Sequence, residues 1–136
     1  MFVYPLITLH NMNILSIDFG QKRIGLAWLQ SGIDVILPFG IVAHDTWQTE
    51  LPALIEEEGI QKVVIGNPLG MDGGENENTK RVQRFADELA SMIAVPVELY
   101  DERFSSKQAD AMGGDATRDE KSAMVILQSY VDAGNR

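Results

Sequence analysis

The chain has 136 residues, 45% apolar and 23% charged, the balance of an ordinary globular domain built on one sheet and a few helices. It has no cysteine, which excludes disulfides, thiolate metal sites and thiol catalysis and fits a cytosolic setting. Its net charge of −9 argues against a protein that coats nucleic acid by bulk electrostatics.

The opening stretch Met1–Leu9 is apolar but interrupted by Pro5. It is too short to cross a bilayer and lacks the basic leader and small-residue cleavage site of a signal peptide. Met12 stands directly before the first strand pattern, so residues 1–12 are set aside as an N-terminal extension. Ile14–Ile17, the turn around Gly20 and the run from Ile24 to Leu29 then predict a β-hairpin. Short strand signals follow at Asp34–Pro38 and Gly40–Val42. A helix is expected from about Asp45 to Glu58, capped by Asp45 or Thr46, with Trp47, Leu51, Leu54 and Ile55 as its apolar stripe. Pro52 lies inside it and predicts a late start or a kink.

Lys62–Gly66 reads as a strand buried on both faces. A loop rich in turn formers, Asn67–Gly74, leads to a helix over about Glu77–Ile93 with Val82, Phe85, Ala86, Leu89 and Ile93 on one side. Val95–Tyr100 is the next strand, ending in Asp101-Glu102-Arg103. A short helix through Met112, capped by Ser105 or Ser106, stops at Gly113-Gly114. A last helix covers about Asp119–Val131, buried through Ala123, Ile126, Leu127 and Tyr130. Strands alternating with helices after leading hairpins predict an α/β fold, a mixed sheet with antiparallel leading strands and then β-α-β units.

Asp18 is the anomaly in this pattern, a carboxylate at the end of a strand that otherwise reads as buried. A buried charge is costly unless paired, hydrogen-bonded or bound to metal. Asp101-Glu102 ends a later strand and Asp119 starts the last helix. Sites in open α/β sheets gather at the carboxyl ends of strands. Three converging carboxylates would offer hard oxygen ligands suited to Mg²⁺ or Mn²⁺, and two such ions would clamp the attacking and leaving oxygens of a phosphodiester.

Each acid also has a plainer role open to it. Asp119 suits a helix N-terminus by capping and dipole, Asp101 and Glu102 could be a solvated strand end paired with Arg103, and only one of that adjacent pair should enter a site. Basic residues group at Lys22-Arg23, at Lys80, Arg81 and Arg84, and at Arg103 and Lys107. Those beside the glycine-rich loop could contact phosphates or form a solvated face.

Asp18-Phe19-Gly20 with Lys22-Arg23-Ile24-Gly25, and Gly66-Asn67-Pro68-Leu69 with Met71-Asp72-Gly73, resemble the YqgF/RuvX family. Asp101–Ser106 resembles that family's third block, and Ser122-Ala123 with Ile126–Tyr130 its last helix. The similarity runs over nearly all of residues 13–132, leaving 133–136 as a tail. It implies a ribonuclease H-like fold, a cytoplasmic location and divalent-metal hydrolysis of phosphodiesters, with processing of the 5′ end of pre-16S rRNA as the family's attributed role. It also implies Asp18, Glu102 and Asp119 as the catalytic and metal-ligating set. Lys22, Arg23, Lys80, Arg81, Arg84 and Arg103 are the candidate substrate contacts. Nucleic acid, either pre-rRNA or branched DNA, is the expected partner. No membrane association is expected, and the protein is read as a monomer or homodimer.

Two other readings stand beside a nuclease: a Holliday-junction resolvase, and a non-catalytic nucleic-acid-binding module. An Asp-x-Gly hairpin also opens actin-like ATPase domains. Those folds need two such domains around their cleft, and 136 residues supply one.

Overall fold

The computed structural model describes residues 12–33, 35–70, 72–102 and 116–134. Five strands and three helices follow in the order β1 (Ile14–Phe19), β2 (Arg23–Leu29), β3 (Ile36–Ala43), α1 (Trp47–Glu57), β4 (Lys62–Asn67), α2 (Glu77–Met92), β5 (Val97–Asp101) and α3 (Arg118–Asp132). The sheet order is β3-β2-β1-β4-β5. β1 and β2 are antiparallel, as are β2 and β3, whereas β4 runs parallel to β1 and β5 parallel to β4. The carboxyl ends of β1, β4 and β5 therefore share one edge of the sheet.

Period-two alternation divides the core. Leu15 and Ile17 of β1, Ile24 and Leu26 of β2, and Val63 and Ile65 of β4 face α1 and α2, meeting Trp47, Leu51, Ile55, Val82, Phe85 and Leu89. Ile14, Leu29 and Val64 face α3, meeting Ile126, Leu127 and Tyr130. β4 is thus covered on both sides, as its unbroken apolar run required. On the α3 side, the Ser16 hydroxyl donates to the Ala123 carbonyl at 2.7 Å in a fully buried bond, which ties the helix to the central strand.

Three local differences from the sequence expectation have physical causes. The two signals around Pro38 form one strand, because a register shift between Leu26 and Ala27 absorbs Phe39 as an extra residue. Pro38 is tolerated on this edge strand, where a missing N–H interrupts no further ladder. α1 begins at Trp47 after Thr46 and runs on past Pro52, with no side-chain cap bond. Pro52 is the sixth residue of α1 and forfeits the bond an amide there would make to the Gln48 carbonyl; burial of Trp47, Leu51 and Ile55 holds the helix across it. The short helix expected between Ser105 and Met112 lies outside the described residues, as do Arg103 and residues 1–11.

Candidate active site at the carboxyl edge of the sheet

Asp18 is the fifth residue of β1 and, by alternation from Ile14 and Ser16, faces α3. Its register partner on β2 is Gly25. Ile17 pairs with Ile65, so the next residue of β4, Gly66, lies on its other side. Asp18 is therefore a lone side chain between two glycines in a row across three strands.

What fills the space above those glycines explains them. A Cβ on Gly25 would collide with the backbone carbonyl of Asp119, so the missing side chain is what lets the start of α3 rest on the sheet. A Cβ on Gly66 would collide with Oε2 of Glu102 and with Cδ1 of Ile126. The Glu102 amide donates to the Asn67 carbonyl at 3.2 Å and extends the β4–β5 pairing one step beyond Asp101. That step puts Glu102 on the α3 side and its carboxylate over Gly66.

The first turn of α3 is held by other residues. Thr117 is the N-cap: its Oγ1 accepts from the Glu120 amide at 3.2 Å, while the Glu120 carboxylate accepts from the Thr117 amide at 3.0 Å. Asp119 is not needed as a cap. Its Oδ2 instead accepts from Arg23 Nε at 2.7 Å, across the mouth of the β1–β2 hairpin.

The acids feel one another. Burial, and then the negative charge of Asp119, pushes the Asp18 carboxyl up from 3.8 to about 6. Glu102 rises from 4.5 to about 7 through burial first, then the charges of Asp18 and Asp101. Asp18 and Glu102 line one cleft of about 200 Å³ together with Gly66, Asn78 and Arg81. Among the described residues no three acidic or histidine side chains are grouped closely enough to hold a metal ion. Of the three acids, Asp18 and Glu102 line the cleft together, while Asp119 is paired with Arg23. The two cleft carboxylates offer only hard oxygen donors, and their mutual repulsion is what a divalent cation relieves, so the donor set fits Mg²⁺ or Mn²⁺.

Of the basic candidates, Arg81 lines this cleft and Arg84 an adjoining hollow. Lys80 lines neither hollow and lies 3.9 Å from Glu77. Lys22 is exposed on the hairpin turn. The glycine-rich loop uses its amides internally: Gly70 donates to the Gly74 carbonyl, Gly73 to the Gly70 carbonyl and Gly74 to Asp72 Oδ1. It shapes the entry to α2, whose first turn is closed by a reciprocal Asn76–Thr79 capping box. Sequence reasoning missed Asn78 and the spacing role of Gly25 and Gly66. The signal was there, since both glycines interrupt apolar strands on the same face as Asp18.

A mixed sheet in this order, helices on both faces and paired acids at the carboxyl edge define a ribonuclease H-like fold. The fold matches "T. thermophilus RuvC in complex with Holliday junction substrate" with a TM-score of 0.59 at 14% identity, over 90% of this chain and 96% of that one. The family model described as RuvX, Holliday junction resolvase, matches residues 12–133, and the chain belongs to that family. Relatives carrying the name "Putative pre-16S rRNA nuclease" include one from Chloroflexus aurantiacus, 36% identical over 88% of this chain and 86% of its own length. Others are from Dictyoglomus thermophilum, 31% identical over 91% and 98%, and Bordetella avium, 38% identical over 88% and 94%.

Proposed function

We propose that this chain is a nuclease that hydrolyses phosphodiester bonds with Mg²⁺ or Mn²⁺ and processes the 5′ end of pre-16S rRNA in the cytoplasm. The observation that carries the reading is the pair Asp18 and Glu102: two carboxylates in one cleft, each raised toward neutrality by burial and by neighbouring negative charge. Groups perturbed in this way inside a cleft are characteristic of reacting sites. The names carried by its relatives supply the substrate.

Asp18 and Glu102 would hold the metal, with Asp119 completing the set once released from Arg23. A bound divalent ion, or a pair of them, would supply a deprotonated water at neutral pH and offset charge on the phosphate. The chain's own residues do the rest. Gly66 leaves room for the Glu102 carboxylate over the strand. Arg81, on the cleft wall, adds positive charge beside the phosphate oxygens, where it counts most in a partly water-excluded site. Arg23 pairs with Asp119 until that release, and Lys22 and Arg103 are further candidates for substrate contact. Branched DNA is the second reading, favoured by the description of the family that matches.

Calorimetric titration with Mn²⁺, followed by cleavage of a pre-16S leader RNA and of a four-way DNA junction, tests this. The nuclease reading expects Mn²⁺ binding that Asp18→Asn abolishes and faster cleavage of the leader. Faster cleavage of the junction would transfer the assignment to branched DNA. Failure to bind Mn²⁺ would leave a non-catalytic module.

A further inference from the structure

The acidic cleft shares a wall with a second hollow of about 240 Å³, and the residues common to both are Phe19 and Arg81. The Phe19 ring stacks on Phe85 at 4.1 Å between centroids, meets the His44 ring at 5.0 Å, and carries the Arg81 guanidinium 5.6 Å above it. Trp47 braces the floor, its ring edge-on to Phe85 at 4.7 Å. Arg84 is exposed on the rim and makes no ion pair among the described residues.

Two guanidinium groups stand beside this cluster of rings on a chain of net charge −9. Flat rings give a surface on which any nucleobase can stack, and arginine pairs with the phosphate that accompanies it. A packing role explains Phe85 and Trp47, which are buried. It does not explain why His44 stays half-exposed and Arg84 exposed on the hollow that adjoins the acidic cleft.

We propose that this hollow is a nucleotide subsite that seats one unpaired nucleotide beside the scissile bond, its base against the outer side of His44 and its phosphate toward Arg84. The inference deepens the nuclease reading and rests on it for what occupies the neighbouring cleft. It requires a single-stranded stretch next to the cut, in RNA or DNA, because a paired base cannot turn its face to the wall.

The test is fluorescence anisotropy of a labelled single-stranded oligouridylate in EDTA, so that binding is read without cleavage, with deoxy and centrally abasic versions alongside. The wild type should bind the intact strand at least about fivefold more tightly than the abasic one, the lower end of what stacking contributes. His44→Ala should weaken the intact strand by a similar factor and erase the penalty of the abasic position. Arg84→Ala should reduce the slope of log affinity against log salt by roughly 0.7. Both side chains lie at the surface of the hollow, and thermal melts confirm that the variants fold. Equal binding of intact and abasic strands, or wild-type affinity and salt slope in both variants, would overturn the subsite. Cleavage of the same strand in Mn²⁺ separates the two ideas. Binding that follows the predicted pattern without cleavage refutes the nuclease and keeps the subsite. Cleavage with kcat/KM unchanged by both substitutions does the reverse.

Discussion

At the scale of single residues, the metal-free protein holds Asp18 and Glu102 at a loss. Their folded values, about 6 and about 7, exceed the ordinary 3.8 and 4.5. The folded chain therefore binds these protons more tightly than the unfolded one. The stability this contributes is complete below about pH 4 and disappears as pH rises through 6 to 7, an effect on the order of 2–3 kcal/mol per group. Asp18→Asn keeps the shape and removes the charge. In EDTA at pH 7.5 its Tm should exceed that of the wild type by roughly 3–10 °C, and the gap should close toward pH 4. Mg²⁺ should stabilise the wild type more than the variant. A variant that melts lower at pH 7.5 in EDTA would mean that Asp18 makes a stabilising contact and is not strained by its neighbours. Ser16→Ala is an uncharged control on the same strand: losing the buried bond to Ala123 should cost about 1–3 kcal/mol at every pH, measured by urea unfolding.

At the scale of elements, the two glycines beside Asp18 divide stability from activity. Gly25→Ala sets a side chain against the backbone of α3, which cannot move without lifting the helix start. A loss of several kcal/mol, about 3 or more, is expected, with Asp119 displaced. Gly66→Ala meets mainly the ends of two side chains, those of Glu102 and Ile126, which can shift. It should unfold only slightly more easily, yet lose cleavage activity by more than the change in stability explains. Circular dichroism melts and rate measurements on both variants would expose a reversal of this order.

The elements themselves were largely legible in the sequence, because α2 and α3 carry a helical apolar stripe and β1 and β4 short apolar runs bounded by turn residues. What was not legible came from tertiary context. The edge position of β3 turns Pro38 from a breaker into a tolerated residue, and a bulge at Phe39 joins two signals into one strand. The capping of α3 passes to Thr117 and Glu120, leaving Asp119 to Arg23.

At the scale of the whole molecule, an acidic protein that binds a polyanion must do so through a narrow basic path. Arg81 and Arg84 line the two adjoining hollows, whereas Lys80 stands apart with Glu77. Arg81→Ala should therefore raise KM and flatten the salt dependence of binding, and Lys80→Ala should change both least of the three helix cations. Filter binding across a salt series checks this; equal effects from all three would reduce them to a diffuse electrostatic patch.

From the residues alone only Asp18 could be read as out of place, since Asp119 suits a helix start and Asp101-Glu102 a solvated strand end; the resemblance joined Glu102 and Asp119 to it as a set. Their spacing could not be read, since it depends on two absent side chains and on a helix start that only the folded chain brings to β2. Arg23 shows the same limit: it reads as a substrate contact in the sequence and is found paired with Asp119.

The most direct measurement is single-turnover cleavage of a pre-16S leader RNA in Mn²⁺ by the wild type, Asp18→Asn and Glu102→Gln, each shown folded by its melt. Both substitutions should lower the rate by at least about a hundredfold, since each removes a group acting at the reacting phosphate. Wild-type rates in Asp18→Asn would contradict the assignment of the acidic cleft as the site of hydrolysis.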